Sequence, residues 1–463
     1  MTEGRAGARK LSPPQIIVLS FALIILLGTL LLLLPAARQP TAEVRVLDAL
    51  FTAVSAVCVT GLVTLNTAAT WSVVGKVVIL ALIQIGGLSL VTIFSFFMVN
   101  LGKRLSLQER LTIQAAYNQT ALGGMTHLVR LAVKLTLLCE ACGALLLTLC
   151  FRQQGQTWLN AAGYGLFHAI SAFCNAGFDI LGPDSLIPYA ADVGLNLLIM
   201  LLIIAGGLGF MVWGELLRWL GTRRSPRRQA RPRLSLHSRL TLIMTGLLLA
   251  CGTLLFYAAE RRNPATLAGL SEGQRWLSSA FQSVTLRTAG FAALPQQALT
   301  DGGKLLSSIL MLIGGSPGGT AGGIKTVTIA ILLCDSWSTL LGRRRTEVFH
   351  LSIAQLTVKK ALTITLLMLL LLALATGLLS LTEAQVAYPH TLLDLLYEAA
   401  SALGTVGLST GLTAYLSPAG KIILMLCMFI GRIGPITLLV SLSRRYREQD
   451  DLLEYPEETV VIG

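Results

Sequence analysis

Six stretches of the sequence carry few or no charged residues over about 20 residues, roughly the length of helix that crosses the hydrocarbon core of a bilayer. They are residues 16–34, 71–99, 195–213, 240–258, 361–381 and 422–442. Only 13% of all residues are charged, about half the share that is usual for a soluble domain. The sequence therefore predicts an all-α membrane protein that crosses the bilayer several times.

Lysine and arginine residues are distributed unevenly between the connections. Five clusters hold 24 of them, at residues 5–10, 103–134, 218–239, 343–360 and 444–447. The segments near the opposite surface hold nine. Because positive residues favour the cytoplasmic side, we expect a multi-pass protein of the cell inner (plasma) membrane with both termini cytoplasmic. The number of crossings is then even, and eight fits best. The net charge of +13 follows this pattern and does not indicate nucleic acid as a partner.

Four segments of 15 residues align without gaps, and each ends in a glycine: residues 47–61, 163–177, 276–290 and 393–407. The terminal glycines lie 116, 113 and 117 residues apart, and three copies share an aromatic residue at the fifth position and a serine at the ninth. Each segment is too short to span a membrane. Close helix packing explains a single glycine in a membrane helix, but not four in matching contexts.

The repeats predict four pseudo-symmetric units of outer helix, re-entrant pore loop and inner helix, with eight transmembrane helices around one central pore. In the third unit, six glycines and a proline within residues 314–323 interrupt the inner helix, because both residue types disfavour helix. The predicted divisions are a cytoplasmic N-terminus at 1–12, pore repeats at 13–103, 104–222, 223–345 and 346–443, and a cytoplasmic tail at 444–463.

The short helix of each unit is expected to end near the membrane centre, where its C-terminal end carries partial negative charge. Asp48 and Asp394 are the predicted N-caps of the first and fourth short helices. The residues that follow each helix can direct carbonyl oxygens at a dehydrated ion. No ring of carboxylates accompanies them, which favours a monovalent cation. The predicted ion-binding residues are Val59, Thr60, Gly61, Asn175, Ala176, Gly177, Thr288, Ala289, Gly290, Thr405, Val406 and Gly407.

These segments and their spacing resemble the Ktr/Trk/HKT superfamily of potassium transporters from Pro13 onward, and most closely its eight-helix KtrB branch. The resemblance implies a potassium selectivity filter at the four glycines. It also implies a homodimer that rests on a cytoplasmic nucleotide-binding ring of the KtrA or TrkA type. ATP or ADP would then bind the partner, and this chain would bind no cofactor beyond potassium, with sodium as a second candidate. The arginine-rich connector at 218–239 is expected to contact anionic membrane lipids or a soluble partner.

The resemblance further implies that the glycine-rich stretch is an intramembrane gating loop and that Arg432 is an electrostatic barrier beside it. An arginine within the membrane is costly and usually functional. From the residues alone, Arg432 could equally pair with Glu215 or hydrogen-bond to loop carbonyls. A phosphate-binding loop is the rival interpretation of the glycines, but Ile324 breaks the required spacing. The predicted gate residues are Gly314, Gly315, Ser316, Pro317, Gly318, Gly319, Thr320, Ala321, Gly322, Gly323, Lys325 and Arg432.

Several other residues leave alternatives open. Arg287 either holds the third strand in place or is exposed in an outer vestibule, whereas His168 and Glu398 are expected to pack and hydrogen-bond. Cys139 and Cys142 have the spacing of a metal or redox pair but no second pair, so we interpret them as packing residues. The five histidines are scattered, which disfavours an enzyme. The alternative to a pore is a secondary transporter that couples potassium to sodium or protons.

Overall fold

The computed structural model describes residues 11–101, 106–116, 124–223, 233–343 and 345–442. Its α-helices are α1 Pro13–Leu33, α2 Val46–Val57, α3 Thr67–Thr70, α4 Val73–Leu88, α5 Leu90–Asn100, α6 Leu107–Ala116, α7 Met125–Gln153, α8 Trp158–Phe173, α9 Val193–Gly207, α10 Phe210–Arg223, α11 Leu236–Glu260, α12 Glu272–Thr285, α13 Asp301–Leu312, α14 Thr326–Leu340, α15 Gln355–Thr382, α16 Leu392–Gly404, α17 Pro418–Ile433 and α18 Pro435–Leu442. The predicted tail at 444–463 and residues 224–232 of the arginine-rich connector lie outside the described ranges.

A small hairpin departs from the predicted all-α class. Strands β1 Glu347–Val348 and β2 Leu351–Ser352 pair antiparallel, with Val348 opposite Leu351. The two turn residues, Phe349 and His350, have positive φ angles, as a tight hairpin turn requires. Short 3-10 helices complete the described elements, at Pro35–Ala37, Ile187–Tyr189, Gln296–Ala298 and Leu412–Tyr415.

The same order of elements recurs four times along the chain. A long helix (α1, α7, α11 or α15) precedes a short helix (α2, α8, α12 or α16), and an interrupted helix follows. The four long helices have the length and hydropathy to cross a membrane, and three bent helix pairs would raise the number of spans to seven. An eighth span would require α13 and α14 together, so the predicted count of eight stays a prediction.

Three predicted continuous spans are bent, which corrects the interpretation of residues 71–99, 195–213 and 422–442. Helices α4 and α5 meet at 82°, α9 and α10 at 101°, and α17 and α18 at 96°. The residue at each bend has a positive φ angle, at Ser89, Gly209 and Gly434. Such an angle cannot continue a right-handed helix, so the second half of each pair leaves the axis of the first.

The predicted N-caps Asp48 and Asp394 are wrong, because both residues lie one turn inside their helices. Arg45 and Thr391 occupy the N-cap positions of α2 and α16. The Asp394 carboxylate accepts from the backbone N–H and hydroxyl of Thr391, both at 2.8 Å, in a capping box. Each aspartate is then free to bind a lysine of a neighbouring helix.

Two ion pairs join the start of one interrupted helix to the short helix of the next repeat. Lys304 of α13 contacts Asp394 of α16 at 2.8 Å, and Lys421 of α17 contacts Asp48 of α2 at 2.7 Å. The side chains are between 8% and 14% exposed, so solvent screens these pairs less than surface pairs. They connect the third repeat to the fourth, and the fourth to the first.

Buried glutamates fix the corners at which two of the interrupted helices begin. Glu260, at the end of α11, accepts hydrogen bonds from the backbone N–H and hydroxyl of Thr300, the N-cap of α13. Glu383, just after α15, accepts the same two bonds from Ser417, the N-cap of α17. Each carboxylate thereby ties a long helix to the interrupted helix of its own repeat.

The outward faces of the long helices are apolar and exposed. Leu19 of α1, Leu138 of α7 and Leu370 of α15 are 53%, 62% and 65% exposed. A soluble monomer rarely exposes so many large apolar side chains together. A bilayer is the environment that accommodates this surface.

Candidate functional site

The four glycines that end the repeated segments meet around a common centre. A Cβ added to Gly61 would lie 2.5 Å from the Ala176 carbonyl oxygen, and one added to Gly177 would lie 2.7 Å from that of Ala289. The same contact recurs between Gly290 and Val406 and between Gly407 and Thr60. Each glycine therefore packs against the segment of the next repeat, in the cyclic order one, two, three, four, one.

The backbone of these segments is strained in the same way in each copy. The residue two positions before each glycine has a left-handed φ angle despite its side chain: 54° at Val59, 57° at Asn175, 75° at Thr288 and 53° at Thr405. That conformation costs a non-glycine residue roughly 1–2 kcal/mol. Strain of this kind persists only where the surrounding structure holds it, and it is common at functional sites.

A buried hydroxyl of each short helix supports the segment that follows. Ser55 and Ser401 accept hydrogen bonds from the backbone N–H groups of the glycines six residues later, both at 3.0 Å. Ser171 and Thr285 instead donate to the carbonyl oxygens of the residues that follow the glycines, at 2.7 and 2.8 Å. The four bonds are Ser55 with Gly61, Ser401 with Gly407, Ser171 with Phe178 and Thr285 with Phe291.

The third copy differs by one residue from the gapless alignment. A buried aromatic ring lies four residues before the supporting hydroxyl in every copy, at Phe51, Phe167, Phe281 and Tyr397. In the third copy the hydroxyl is that of Thr285, five residues before Gly290, whereas it lies six residues before the glycine elsewhere. The backbone confirms the difference: Ala289 N–H donates to Thr285 O, while Thr60 N–H donates to Ser55 O.

Four side-chain oxygens at this centre are buried without a hydrogen-bond partner in the described part of the chain. They belong to Thr60, Asn175, Thr288 and Thr405. An unpaired buried oxygen costs about 1–3 kcal/mol, and native proteins contain few of them. Four such atoms in the repeated segments indicate a centre that suits an oxygen-seeking ligand.

The glycine-rich stretch 314–323 is a loop that rests on the break between α9 and α10. The Ser316 N–H donates to Gly207 O at 2.9 Å, and the Thr320 N–H donates to Gly206 O at 3.2 Å. In return, Phe210 N–H donates to Gly318 O at 3.1 Å. The base of the loop closes where Gly314 N–H donates to Ile324 O, at 2.9 Å. The loop is therefore ordered by backbone bonds to the second repeat.

The loop also touches the repeated segments themselves. The Asn175 side-chain amide donates to the Thr320 hydroxyl at 2.9 Å, and that hydroxyl donates to Phe173 O at 3.0 Å. A Cβ on Gly322 would collide with the Thr405 side chain. The loop thus lies next to Asn175 and Thr405, two residues before the glycines of the second and fourth segments.

Arg432 bridges three repeats. Its guanidinium donates to Thr320 O of the loop and to the carbonyl oxygens of Gly86 and Gly87 at the end of α4. Among the described residues, no ion pair joins Arg432 to Glu215, whose carboxylate accepts from Ser235 N–H at 2.9 Å. The C-terminal end of a helix attracts positive charge, so α4 is a suitable acceptor.

A cavity of about 600 Å³ adjoins the loop and Arg432. Lys325, which follows the loop, lines it and donates to Ala321 O at 2.6 Å. Residues of α1, α15 and α18 form the opposite wall, among them Phe21, Met368 and Thr437. The glycine-rich loop, Lys325 and Arg432, which together contain all the predicted gate residues, thus lie around one cavity.

Three other residues singled out in the sequence are Arg287, His168 and Glu398. The contacts of His168 and Glu398 are structural, and Arg287 has no hydrogen bond that shows a role. Arg287 is 9% exposed and its Nε has no hydrogen-bond partner in the described ranges, so an exposed vestibule position is wrong and the expected tie to the third strand is not seen. His168 Nδ1–H donates to Tyr164 O at 2.7 Å, and the ring packs against Phe151. Glu398 accepts from Thr410 N–H at 2.9 Å, beyond the fourth segment.

Sequence reasoning missed Gln84 and Glu140, which meet beside the end of α4. Glu140 lies between Cys139 and Cys142 in α7. Its signal was a carboxylate in the middle of an apolar membrane helix, which is costly and usually functional. The bends of α4, α9 and α17 also have a signal, because Gly-Gly-Leu at 86–88 recurs at 206–208.

Comparisons with known proteins identify relatives that match nearly the whole chain. The potassium/sodium uptake protein NtpJ of Enterococcus hirae is 38% identical over 98% of this chain and 98% of its own length. Ktr system potassium uptake protein B is 38% identical in Bacillus subtilis, over 98% of this chain and 97% of that protein, and 37% identical in Vibrio alginolyticus, over 100% and 97%.

The solved structure of the potassium transporter TrkH from Vibrio parahaemolyticus has the same fold. It superposes with a TM-score of 0.71 over 95% of this chain and 86% of that one, at 18% identity. The family described as TrkH, cation transport protein, matches residues 10–455. The chain therefore belongs to the TrkH family of cation transport proteins.

Proposed function

We propose that this chain is the ion-conducting membrane subunit of a bacterial potassium uptake system. Potassium passes along the axis on which Gly61, Gly177, Gly290 and Gly407 meet. Carbonyl oxygens of the four repeated segments replace the water of the ion, as in other carbonyl-lined filters. The glycine-rich loop and Arg432 form the gate. The relatives named as potassium uptake proteins support potassium as the ion.

The observation that carries this proposal is the ring of four glycine contacts together with the unpaired oxygens. The ring is cyclic and involves every repeat once. The side-chain oxygens of Thr60, Asn175, Thr288 and Thr405 are buried there without a hydrogen-bond partner among the described residues. A dehydrated cation can be coordinated by these oxygens. The short helices end near it, and their C-terminal ends carry partial negative charge.

The gate acts by blocking the axis sterically and electrostatically. The loop crosses beside Asn175 and Thr405, and Arg432 adds a positive charge next to it. A cation that leaves the filter meets both. Opening requires the loop to leave Gly206 and Gly207, and Arg432 to release Thr320. Because backbone hydrogen bonds in small number hold the closed position, a partner that binds the cytoplasmic face can shift the equilibrium.

The proposal extends to the assembly in the membrane. The chain crosses the inner (plasma) membrane eight times, with both termini in the cytoplasm. Two copies form a homodimer. A cytoplasmic ring of nucleotide-binding subunits of the KtrA or TrkA type carries the ATP or ADP dependence. Supporting it are the basic clusters on one side of the predicted spans, including the arginine-rich connector 218–239.

The test is ion flux into liposomes that contain the purified protein. We expect uptake of rubidium or potassium down its gradient, with sodium a poor competitor. The variant Gly290→Ser should lose most of the preference for potassium, because an added side chain meets Val406 O and the φ angle is +81°. Uptake that is absent in wild type, or selectivity unchanged in the variant, would contradict the proposal.

One observation favours a second candidate, a secondary transporter that couples potassium to sodium. The name of the Enterococcus hirae relative includes both ions. Coupled transport predicts that an outward or inward sodium gradient drives potassium against its own gradient in the same liposomes. A pore predicts that potassium flux follows only the potassium gradient and the membrane potential.

A further inference from the structure

Glu140 is a buried carboxylate that the gate described above leaves unexplained. It lies in the middle of α7 and is 4% exposed. The described residues form ion pairs only at Arg275 with Glu272, Lys304 with Asp394 and Lys421 with Asp48, so Glu140 has no ion-pair partner among them. An ionisable side chain held within a membrane protein without an ion-pair partner is costly and usually has a function.

The hydrogen bonds of Glu140 lead to the end of α4. Its Oε2 accepts from the Gln84 side-chain amide at 3.0 Å, and its Oε1 accepts from the Cys174 thiol at 3.6 Å. The Cys174 thiol also lies 3.8 Å from Gln84 Oε1. These three side chains, from α7, α4 and the end of α8, form a closed triangle that we call the Glu140 triangle.

The Glu140 triangle supports the carbonyl groups that Arg432 uses. A Cβ on Gly87 would lie 2.7 Å from Cys174 Sγ, so the thiol packs directly on that glycine. Gln84 lies two residues before Gly86 on the same helix. Gly86 O and Gly87 O both accept from Arg432 Nη2. The triangle therefore backs one side of the α4 end, and Arg432 binds the other.

The contacts of Arg432 favour the same arrangement. Arg432 has carbonyl partners only, and no ion-pair partner in the described ranges. The Cys174 thiol contacts Glu140 and packs on Gly87, whose carbonyl oxygen accepts from Arg432. The carboxyl group of Glu140 and the guanidinium of Arg432 are therefore connected through the same helix end.

We propose that Glu140 is a positioning residue of the gate: it holds the end of α4 so that Gly86 and Gly87 keep Arg432 against the loop at Thr320. This inference rests on the proposed function, and it adds an outer-helix residue to the gate. Without Glu140, the carbonyl groups lose their support and Arg432 disengages. The closed position then becomes less populated, and flux rises.

The test is a double-mutant cycle of rubidium flux in liposomes with Glu140→Ala and Arg432→Ala. We expect Glu140→Ala to raise flux about fivefold, a size within the range of long-range coupling effects, and to have no further effect in the Arg432→Ala background. The exchanged pair Glu140→Gln with Gln84→Glu places the carboxylate on α4 and should restore the wild-type flux. Glu260→Gln, a buried carboxylate at the far corner of α11, is the control for loss of a buried charge.

Each outcome is decisive. Equal effects of Glu140→Ala in both backgrounds, or no rescue by the exchanged pair, would overturn the inference, because Glu140 would then act independently of Arg432. Glu140→Ala could change the ratio of potassium flux to sodium flux equally with and without Arg432→Ala. That result would assign Glu140 to the support of the second filter segment and would also overturn the inference. If Arg432→Ala itself leaves flux unchanged, the gate proposal fails, which is a separate result. Thermal midpoints of all variants in detergent identify those that fold poorly.

Discussion

Backbone geometry at single residues decides what the centre of this protein can do. Val59, Asn175, Thr288 and Thr405 adopt left-handed φ angles although each has a side chain. The glycines two residues later also have positive φ angles and touch the next segment. Glycine is required there on two grounds, the backbone angle and the absence of space for a Cβ.

The replacement Gly407→Ala should strongly reduce transport, because Gly407 makes the closest of the four glycine contacts. For Gly407→Ala, the added methyl group meets Thr60 O at a φ angle of +98°. We expect rubidium flux to fall at least tenfold. The matched control is Gly246→Ala in α11, where a Cβ has nothing within 4 Å and alanine favours helix by up to about 1 kcal/mol. Normal flux in Gly407→Ala would contradict the assignment of the ring.

In the third copy the supporting hydroxyl is that of Thr285, five residues before the glycine instead of six, and this assignment can be tested. In Thr285→Val the Phe291 carbonyl oxygen loses its buried donor, which costs about 1–3 kcal/mol. We expect lower selectivity for potassium over sodium in flux assays, with normal behaviour in Thr285→Ser, which keeps the hydroxyl. If Val284, at the ninth position of the gapless alignment, were the equivalent residue, then Thr285→Val would retain selectivity.

At the scale of elements, the sequence predicted the order of helices but not their shape. Apolar runs and the repeated glycines indicated long helices, short helices and the loop at 314–323. The bends of α4, α9 and α17 were missed, although Gly-Gly-Leu precedes two of them and Pro435 follows the third. Glycine and proline are also tolerated within continuous membrane helices, so these residues alone do not predict a bend. Asp48 and Asp394 were misplaced as caps for another reason: their partners, Lys421 and Lys304, come from distant repeats.

The ion pairs between repeats should stabilise the ring of short helices. Removing one partner of a buried pair costs about 3 kcal/mol, because the other charge stays buried. We expect Lys304→Met to lower the thermal midpoint in detergent, and the double variant Lys304→Met with Asp394→Leu to recover part of the loss. A double variant that is less stable than either single variant would show that the two side chains do not depend on each other.

The loop between α13 and α14 makes the second prediction at this scale. Shortening residues 314–323 removes bonds to Gly206 and Gly207 and uncovers the axis. We expect higher potassium flux, and weaker regulation of that flux, in cells that lack other potassium uptake systems. Unchanged uptake would mean that the loop is not the gate. A variant that shortens the exposed hairpin at 347–352, outside the loop, serves as the control.

At the scale of the whole molecule, four similar units meet at the ring of glycines but are not equivalent. The third carries a long loop in place of a simple bend, and the fourth carries Arg432 at the second position of the motif that is Gly-Gly-Leu in the first two. Repetition of sequence made the central ring predictable. The hydrogen bonds of Arg432 to Thr320, Gly86 and Gly87 join residues up to 346 positions apart. No local sequence pattern predicts such contacts.

The most direct test of this account is the position of bound ions in the protein itself. Electron density or anomalous scattering from rubidium or thallium should show ions on the axis, between the segments that end in Gly61, Gly177, Gly290 and Gly407. The account predicts ions at similar distances from oxygens of all four segments. Ions bound in a transporting protein at any site away from that axis, with the axis unoccupied, would contradict it.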